Sequence, residues 1–207
     1  MAADTSSDTR YEEIAERLTG YGVSAEQQQS LFDKLDRGEL PDSLSEANDS
    51  VRQKVVDLGT TSEVVDYFSD GSVRAVKTEK PVAKTGDMST PAVEGCTATN
   101  LSGGQVQYVN CTVSGWFTGV QLAFGATFTT PGTTGIFLAN IDNYFSPNVQ
   151  CTPPLTCTAP EFEVLNLQQT ATSPAHLGLR TVASSELTGT TTTYLYLYVQ
   201  NNEYYTN

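Results

Sequence analysis

The sequence predicts a mainly β fold: an antiparallel β-sandwich preceded by a small N-terminal module of short helices and one β-hairpin. Three observations carry this. From Cys96 onward, segments alternating apolar and polar residues are bounded by Gly, Pro or Ser/Thr clusters, the spacing of strands in a sandwich or barrel. Nearer the start, apolar residues recur at helical spacing instead. Charge divides the chain the same way: ten of the eleven Lys and Arg, and eighteen of the twenty-four Asp and Glu, fall in residues 1–90.

Residues 1–8 read as a disordered tail. In "DTRYEEIAERLTGYG", Tyr11, Ile14 and Leu18 share a helical face and Gly20 supplies a stop. In "VSAEQQQSLFDKLDRGEL", Ser24 and Gln27 fit a capping box, Leu31, Phe32 and Leu35 form the apolar stripe, and Gly38 ends the helix. "PDSLSEAND" is a polar connector. "SVRQKVVDLG" reads as a third short helix, capped by Ser50, with Val51, Val55 and Leu58 on one side and Gly59 as the stop. Helices this small do not stand alone.

"SEVVDYFSDGSVRAVKTE" follows as a hairpin turning at Asp70-Gly71, which closes a module spanning residues 1–79. Residues 80–95, "KPVAKTGDMSTPAVEG", have the Pro, Gly and small polar residues of a linker. The sandwich then occupies residues 96–207. Its strands are read in "QVQYVNCTVSGWF", "GVQLAFGATFTT", "GIFLANIDNYF", "EFEVLNLQQT", "AHLGLRTVASSEL" and "TTTYLYLYVQ".

All four cysteines lie in that second part. Spacing favours local pairs, Cys96–Cys111 between neighbouring strands and Cys151–Cys157 across "CTPPLTC". No close C-x-x-C pair or suitably spaced His supports zinc. Disulfides imply an oxidising location and hence export. The start "MAADTSSDTR" lacks the basic and apolar regions of a secretory signal. Its small polar residues suit the stretch after a cleavage site, so a mature form is expected.

The net charge of −13 argues against a nucleic-acid partner, which needs Lys and Arg against phosphate. It argues equally against electrostatic adhesion to an anionic membrane. No run approaches the roughly 18 apolar residues of a membrane span.

The stretches "GVSAEQQQSLFDKLDRGELPDSL", "VVDYFSDGSVRAV" and "YVNCTVSGWFTGVQLAFGATF" resemble parts of uncharacterised secreted proteins of high-GC Gram-positive bacteria. The resemblance touches about half the chain and implies export to a bacterial surface or extracellular setting. It supplies no catalytic residues.

Chemistry is sparse. The only histidine, His176, lies in a predicted strand without a nucleophile motif around it, and neither G-x-S-x-G nor H-E-x-x-H occurs. Glu161 and Glu163 share one strand face, the best case for a glycosidase acid pair, yet they lie side by side rather than across a bound sugar. "LSGGQ" lacks a phosphate-loop frame. "NIDNYFSPN" offers Asn140, Asp142 and Asn143 as oxygen ligands but reads as an Asn/Asp-rich turn. No enzyme activity, cofactor or metal is expected.

What stands out is tyrosine. Tyr194, Tyr196 and Tyr198 alternate with Leu195, Leu197 and Val199, and Tyr204 and Tyr205 follow, with Trp116 and Tyr144 as further aromatic candidates. If the leucines enter the core, the tyrosines occupy the other face. They either pack under a neighbouring element such as the N-terminal helices, meet a protein partner, or stack on sugar rings. The expected function is a non-catalytic extracellular interaction protein, a subunit or adaptor contacting secreted or surface proteins or itself, in one version through edge pairing of a strand. A carbohydrate-binding module is the alternative, and an acid-pair glycosidase the last.

Overall fold

The computed structural model describes residues 10–83, 95–131, 137–185 and 189–206. The predicted tail at 1–8 and most of the predicted linker at 80–95 lie outside the described residues. The protein is mainly β, with two antiparallel sheets packed face to face and a small helical module at its start.

Helix α1 (Glu12–Gly20) buries Ile14 and Leu18, and α2 (Ala25–Asp36) buries Leu31 and Leu35. The Ser24–Gln27 capping box is present in both directions. Tyr11 and Phe32 stack across the helix pair with centroids 4.6 Å apart. The helix stops where expected. Gly20 is the last residue of α1, and Gly22 takes the left-handed conformation (φ 79°) that turns the chain.

The third predicted helix is a strand. β1 (Arg52–Asp57) pairs antiparallel with β2 (Thr61–Tyr67), and Leu58 N donates to Thr61 O at 2.9 Å around Gly59-Thr60. Val51, Val55 and Leu58 do fit a helical stripe, but pairing with β2 satisfies the backbone and overrides it. β2 and β3 (Val73–Glu79) form the predicted hairpin, with Gly71 at φ 84°.

This hairpin is continuous with the sandwich. β3 pairs with the second half of the long β6 (Val106–Phe117), while β5 (Thr97–Asn100) pairs with its first half. The two-residue β4 (Val82–Ala83) adds a parallel pair, to β5. On its other edge β6 meets β7 (Val120–Thr130), which meets β8 (Asn140–Cys151), completing an eight-stranded sheet. The five-stranded second sheet runs β10 (Glu161–Asn166), β11 (Ala175–Ser184), β12 (Thr190–Gln200), β13 (Glu203–Thr206), with β9 (Thr156–Cys157) beside the end of β11.

The segment predicted as an Asn/Asp turn is the body of β8. Asp142 lies exposed on the sheet surface and accepts from Thr129 Oγ1 at 2.6 Å and Gln107 Nε2 at 3.3 Å, so side chains of neighbouring strands bind it. Leu122, Phe124 and Phe128 of β7 face Leu177, Leu179, Leu195 and Leu197 across the core, all fully buried. Both cysteine pairs form: Cys96–Cys111 ties β5 to β6, and Cys151–Cys157 joins the end of β8 to β9 and so one sheet to the other.

The helices cover the outer face of the first sheet. Tyr21 stacks on Trp116 at 5.6 Å and donates its hydroxyl to Glu63 Oε1 at 2.9 Å, and Tyr67 donates to Tyr21 O at 3.0 Å. The connector after α2, with a 3-10 turn at Asp42–Leu44, touches both sheets. Ser43 N donates to Ser72 Oγ at 3.0 Å, and Thr193 Oγ1 of β12 donates to Leu44 O at 3.1 Å.

Candidate functional site

Since Leu195, Leu197 and Val199 are fully buried, strand alternation turns Tyr194, Tyr196 and Tyr198 to the outer face of the second sheet. The helices pack on the first sheet, so they do not supply the cover for this face that one reading of the sequence gave them. The tyrosines instead cover one another. Tyr194 and Tyr196 stack at 5.3 Å with planes 8° apart, and Tyr198 stacks on Tyr205 of β13 at 4.9 Å with planes 9° apart. His176 fits between, 4.7 Å from Tyr196 and 4.1 Å from Tyr198.

The strand register explains this grouping. Tyr198 lies opposite His176, Tyr196 opposite Gly178 and Tyr194 opposite Arg180, while Glu163 and Glu161 continue the rows on β10. Tyr196 leans into the space left by the missing side chain of Gly178, where a Cβ would sit 2.7 Å from its Cε1. Replacing Gly178 with Ala is expected to cost about 1–3 kcal/mol by overpacking. The near-UV circular dichroism of the tyrosines should change while the far-UV spectrum is retained; an unchanged near-UV spectrum would show that the ring packing does not depend on this gap.

The face holds few charges. Glu161 accepts from Arg180 at 3.0 Å, an exposed pair. Glu163 Oε2 and His176 Nε2 are buried without hydrogen-bond partners. Burial lowers the His176 pKa against the opposing pull of Glu163, and burial raises those of Tyr196 and Tyr198. Burial therefore favours the neutral phenol at Tyr196 and Tyr198 and the neutral imidazole at His176. Such groups offer contact area and hydrogen-bonding tips.

Three of the aromatic candidates lie elsewhere. Tyr204 points inward, 4.9 Å from Phe128 and 5.2 Å from Tyr108, and burial raises its pKa to about 12. Trp116 is on the helix-covered face of the first sheet, and Tyr144 packs between the sheets against Phe162 at 4.8 Å. His176, Gly178 and Arg180 join the ladder without having been singled out as part of it. Their signal was the alternation in "AHLGLR", which sets all three opposite the face taken by Leu177 and Leu179.

A cleft of about 450 Å³ opens beside α1, lined by Arg17, Tyr21, Glu63, Lys77, Trp116 and Gln121. Its polar groups satisfy one another: Arg17 Nη1 donates to Gln121 Oε1 at 3.1 Å, and Lys77 lies 3.5 Å from Glu63. Among the described residues, no three His, Cys, Asp or Glu cluster as metal ligands, and no helix is long and apolar enough to cross a membrane. Comparisons with family models, with curated proteins and with solved structures found no match to this chain.

Proposed function

We propose that the protein is a non-catalytic, exported interaction protein that docks a protein partner on the tyrosine ladder of its second sheet. The observation that carries this reading is the stack of Tyr194, Tyr196, Tyr198, Tyr205 and His176 on an outer sheet face, while the two helices pack on the other sheet. Tyrosine offers a large contact area, a polar tip and few rotatable bonds, the properties that enrich it at interfaces. The two disulfides favour export, since such bonds persist in oxidising surroundings.

A sugar platform finds less support in the geometry. Tyr196 is only 9% exposed and its ring is flanked by Tyr194, Tyr198 and His176, so it has no open flat face for a pyranose. Tyr205, 46% exposed, is the most accessible ring.

The test is a pair of substitutions at the accessible end of the ladder, Tyr198→Ser with Tyr205→Ser. Crosslinking and mass spectrometry of the native secreted protein should map partner contacts to this face. The double variant should keep its fold and weaken partner binding by about tenfold or more, the loss typical of removing interface anchors. Partner contacts that map elsewhere, or binding unchanged in the variant, would count against the ladder as the docking surface.

A further inference from the structure

We propose a second contact, independent of the tyrosine ladder: the edge strand β1 of one copy pairs antiparallel with the edge strand β10 of another. Both edges end their sheets, β1 in the first and β10 in the second. They sit at opposite lateral margins of the sandwich. β10 lies beneath β8, with Phe162 against Tyr144, whereas β13 closes the second sheet over β3, with Thr206 3.1 Å from Thr78. One copy can therefore use both edges at once, which builds a head-to-tail chain.

Each edge carries apolar surface that its own fold leaves uncovered. Val55 on β1 is 64% exposed, and Val164 on β10 is 47% exposed. Open edges of this kind are the usual templates for strand addition, and natural proteins blunt them with charge. Here the charges have opposite sign. β1 reads "RQKVVD", with Arg52 and Lys54 on one face, and β10 reads "EFEVLN", with Glu161 and Glu163 on one face.

Those faces match. Arg52 and Lys54 share the outer face of the first sheet with Tyr67 and Val65, and Glu161 and Glu163 share the outer face of the second with Arg180 and Gly178. Directly opposed residues of an antiparallel pair point to the same side. A single register sets Arg52 opposite Glu163 and Lys54 opposite Glu161 of the next copy.

The backbone agrees with that register. The Leu58 N to Thr61 O bond fixes which β1 residues turn their amides to β2, so Gln53 and Val55 aim theirs outward. On β11, Val182 O accepts from Thr158 N, which directs the backbone groups of Gly178 and Arg180 toward β10 and leaves those of Phe162 and Val164 facing away from the sheet. Gln53 and Phe162 thus meet as a hydrogen-bonding pair. β10 pairing with itself in the register centred on Phe162 would instead oppose Glu161 to Glu163, a like-charge contact.

The test uses the full chain in analytical ultracentrifugation over a concentration series. The native protein should self-associate, and carbodiimide coupling should link Lys54 of one copy to Glu161 of another. The double reversal Arg52→Glu with Lys54→Glu, and separately Glu161→Lys with Glu163→Lys, should each weaken association by about tenfold or more. Mixing the two variants should restore it, since every edge then meets an opposite one, and restoration also shows that both variants are folded. A native protein that stays monomeric, or association indifferent to both reversals, overturns the proposal. So does a mixture that stays dissociated while both variants keep their native circular dichroism. Association lost in Tyr198→Ser with Tyr205→Ser but unaffected by either reversal would assign self-assembly to the ladder and also overturn edge pairing.

Discussion

Replacing Asp70 with Ala is expected to destabilise the fold by about 2–4 kcal/mol, the cost of a lost charge-assisted contact together with partly buried donors left unpaired. Asp70 sits in the β2–β3 turn with its side chain 11% exposed, and its Oδ2 lies 2.8 Å from Lys34 Nζ of α2. It also accepts from Asp42 N and Ser72 N, both at 2.9 Å. The substitution leaves Lys34 with Asp42 alone, 2.7 Å away, and releases two backbone donors, loosening the turn, the connector and α2 together. Urea denaturation should show a lower midpoint with an unchanged slope. A midpoint within about 1 kcal/mol of native would place these groups in water rather than in a buried network.

The same group sets an acid limb. Burial alone would raise the Asp70 pKa, but bonds from Lys34, Ser72 and the Asp42 backbone outweigh it and hold it below the ordinary carboxylate value. The unfolded chain then takes up the proton first, so this contribution is full above the unfolded-state pKa of about 3.9 and is lost as pH falls through the folded-state value. Lys34 behaves oppositely. Burial would lower its pKa, but Asp42 and Asp70 raise it, so its contribution is lost only as strongly alkaline pH passes the folded-state value. Thermal melts of Asp70→Ala should show a flatter acid limb than the native protein.

Removing the Cys96–Cys111 bond, as Cys96→Ser with Cys111→Ser, should cost about 3 kcal/mol, because the bond closes a 15-residue separation in the unfolded chain. The shorter Cys151–Cys157 link, separation 6, should contribute about 2 kcal/mol on the same reasoning. Denaturation with and without reductant reads both. The reduced native protein should match a variant lacking all four cysteines, and equal stability of the oxidised and reduced forms would remove the energetic case for an oxidising compartment.

Much of the sandwich was legible because its strands alternate cleanly. The leucines of "YLYLYVQ" and of "AHLGLR" could face only a core, which left the tyrosines, His176 and Arg180 outside. Tyr204 and Tyr205 separate for the same reason, being neighbours on a strand that point to opposite sides. Tertiary choices were less legible. In β1 the i, i+4 valines fit helix and strand alike, and only the partner β2 decides. "QVQYVNCTVSGWF" and its neighbours have two apolar faces, and nothing local says that the helices take the one bearing Trp116. The Asn-rich start of β8 is held by bonds from Thr129 and Gln107, residues remote in sequence, so its turn-like composition misled.

The connector after α2 has a consequence for how this architecture can vary. Gly38 O accepts from Ser185 Oγ at 2.7 Å and Leu44 O from Thr193, both in the second sheet, while Ser43 and Asp42 are bonded to the β2–β3 turn of the first. A chain that exchanged its helical start for an unrelated one would give up not only the roof over Trp116 but also a clasp between the two layers. The leader and the β domain are thus bound to diverge in step: a new start is acceptable only if it brings carbonyls to the places where Ser185 and Thr193 already wait for them.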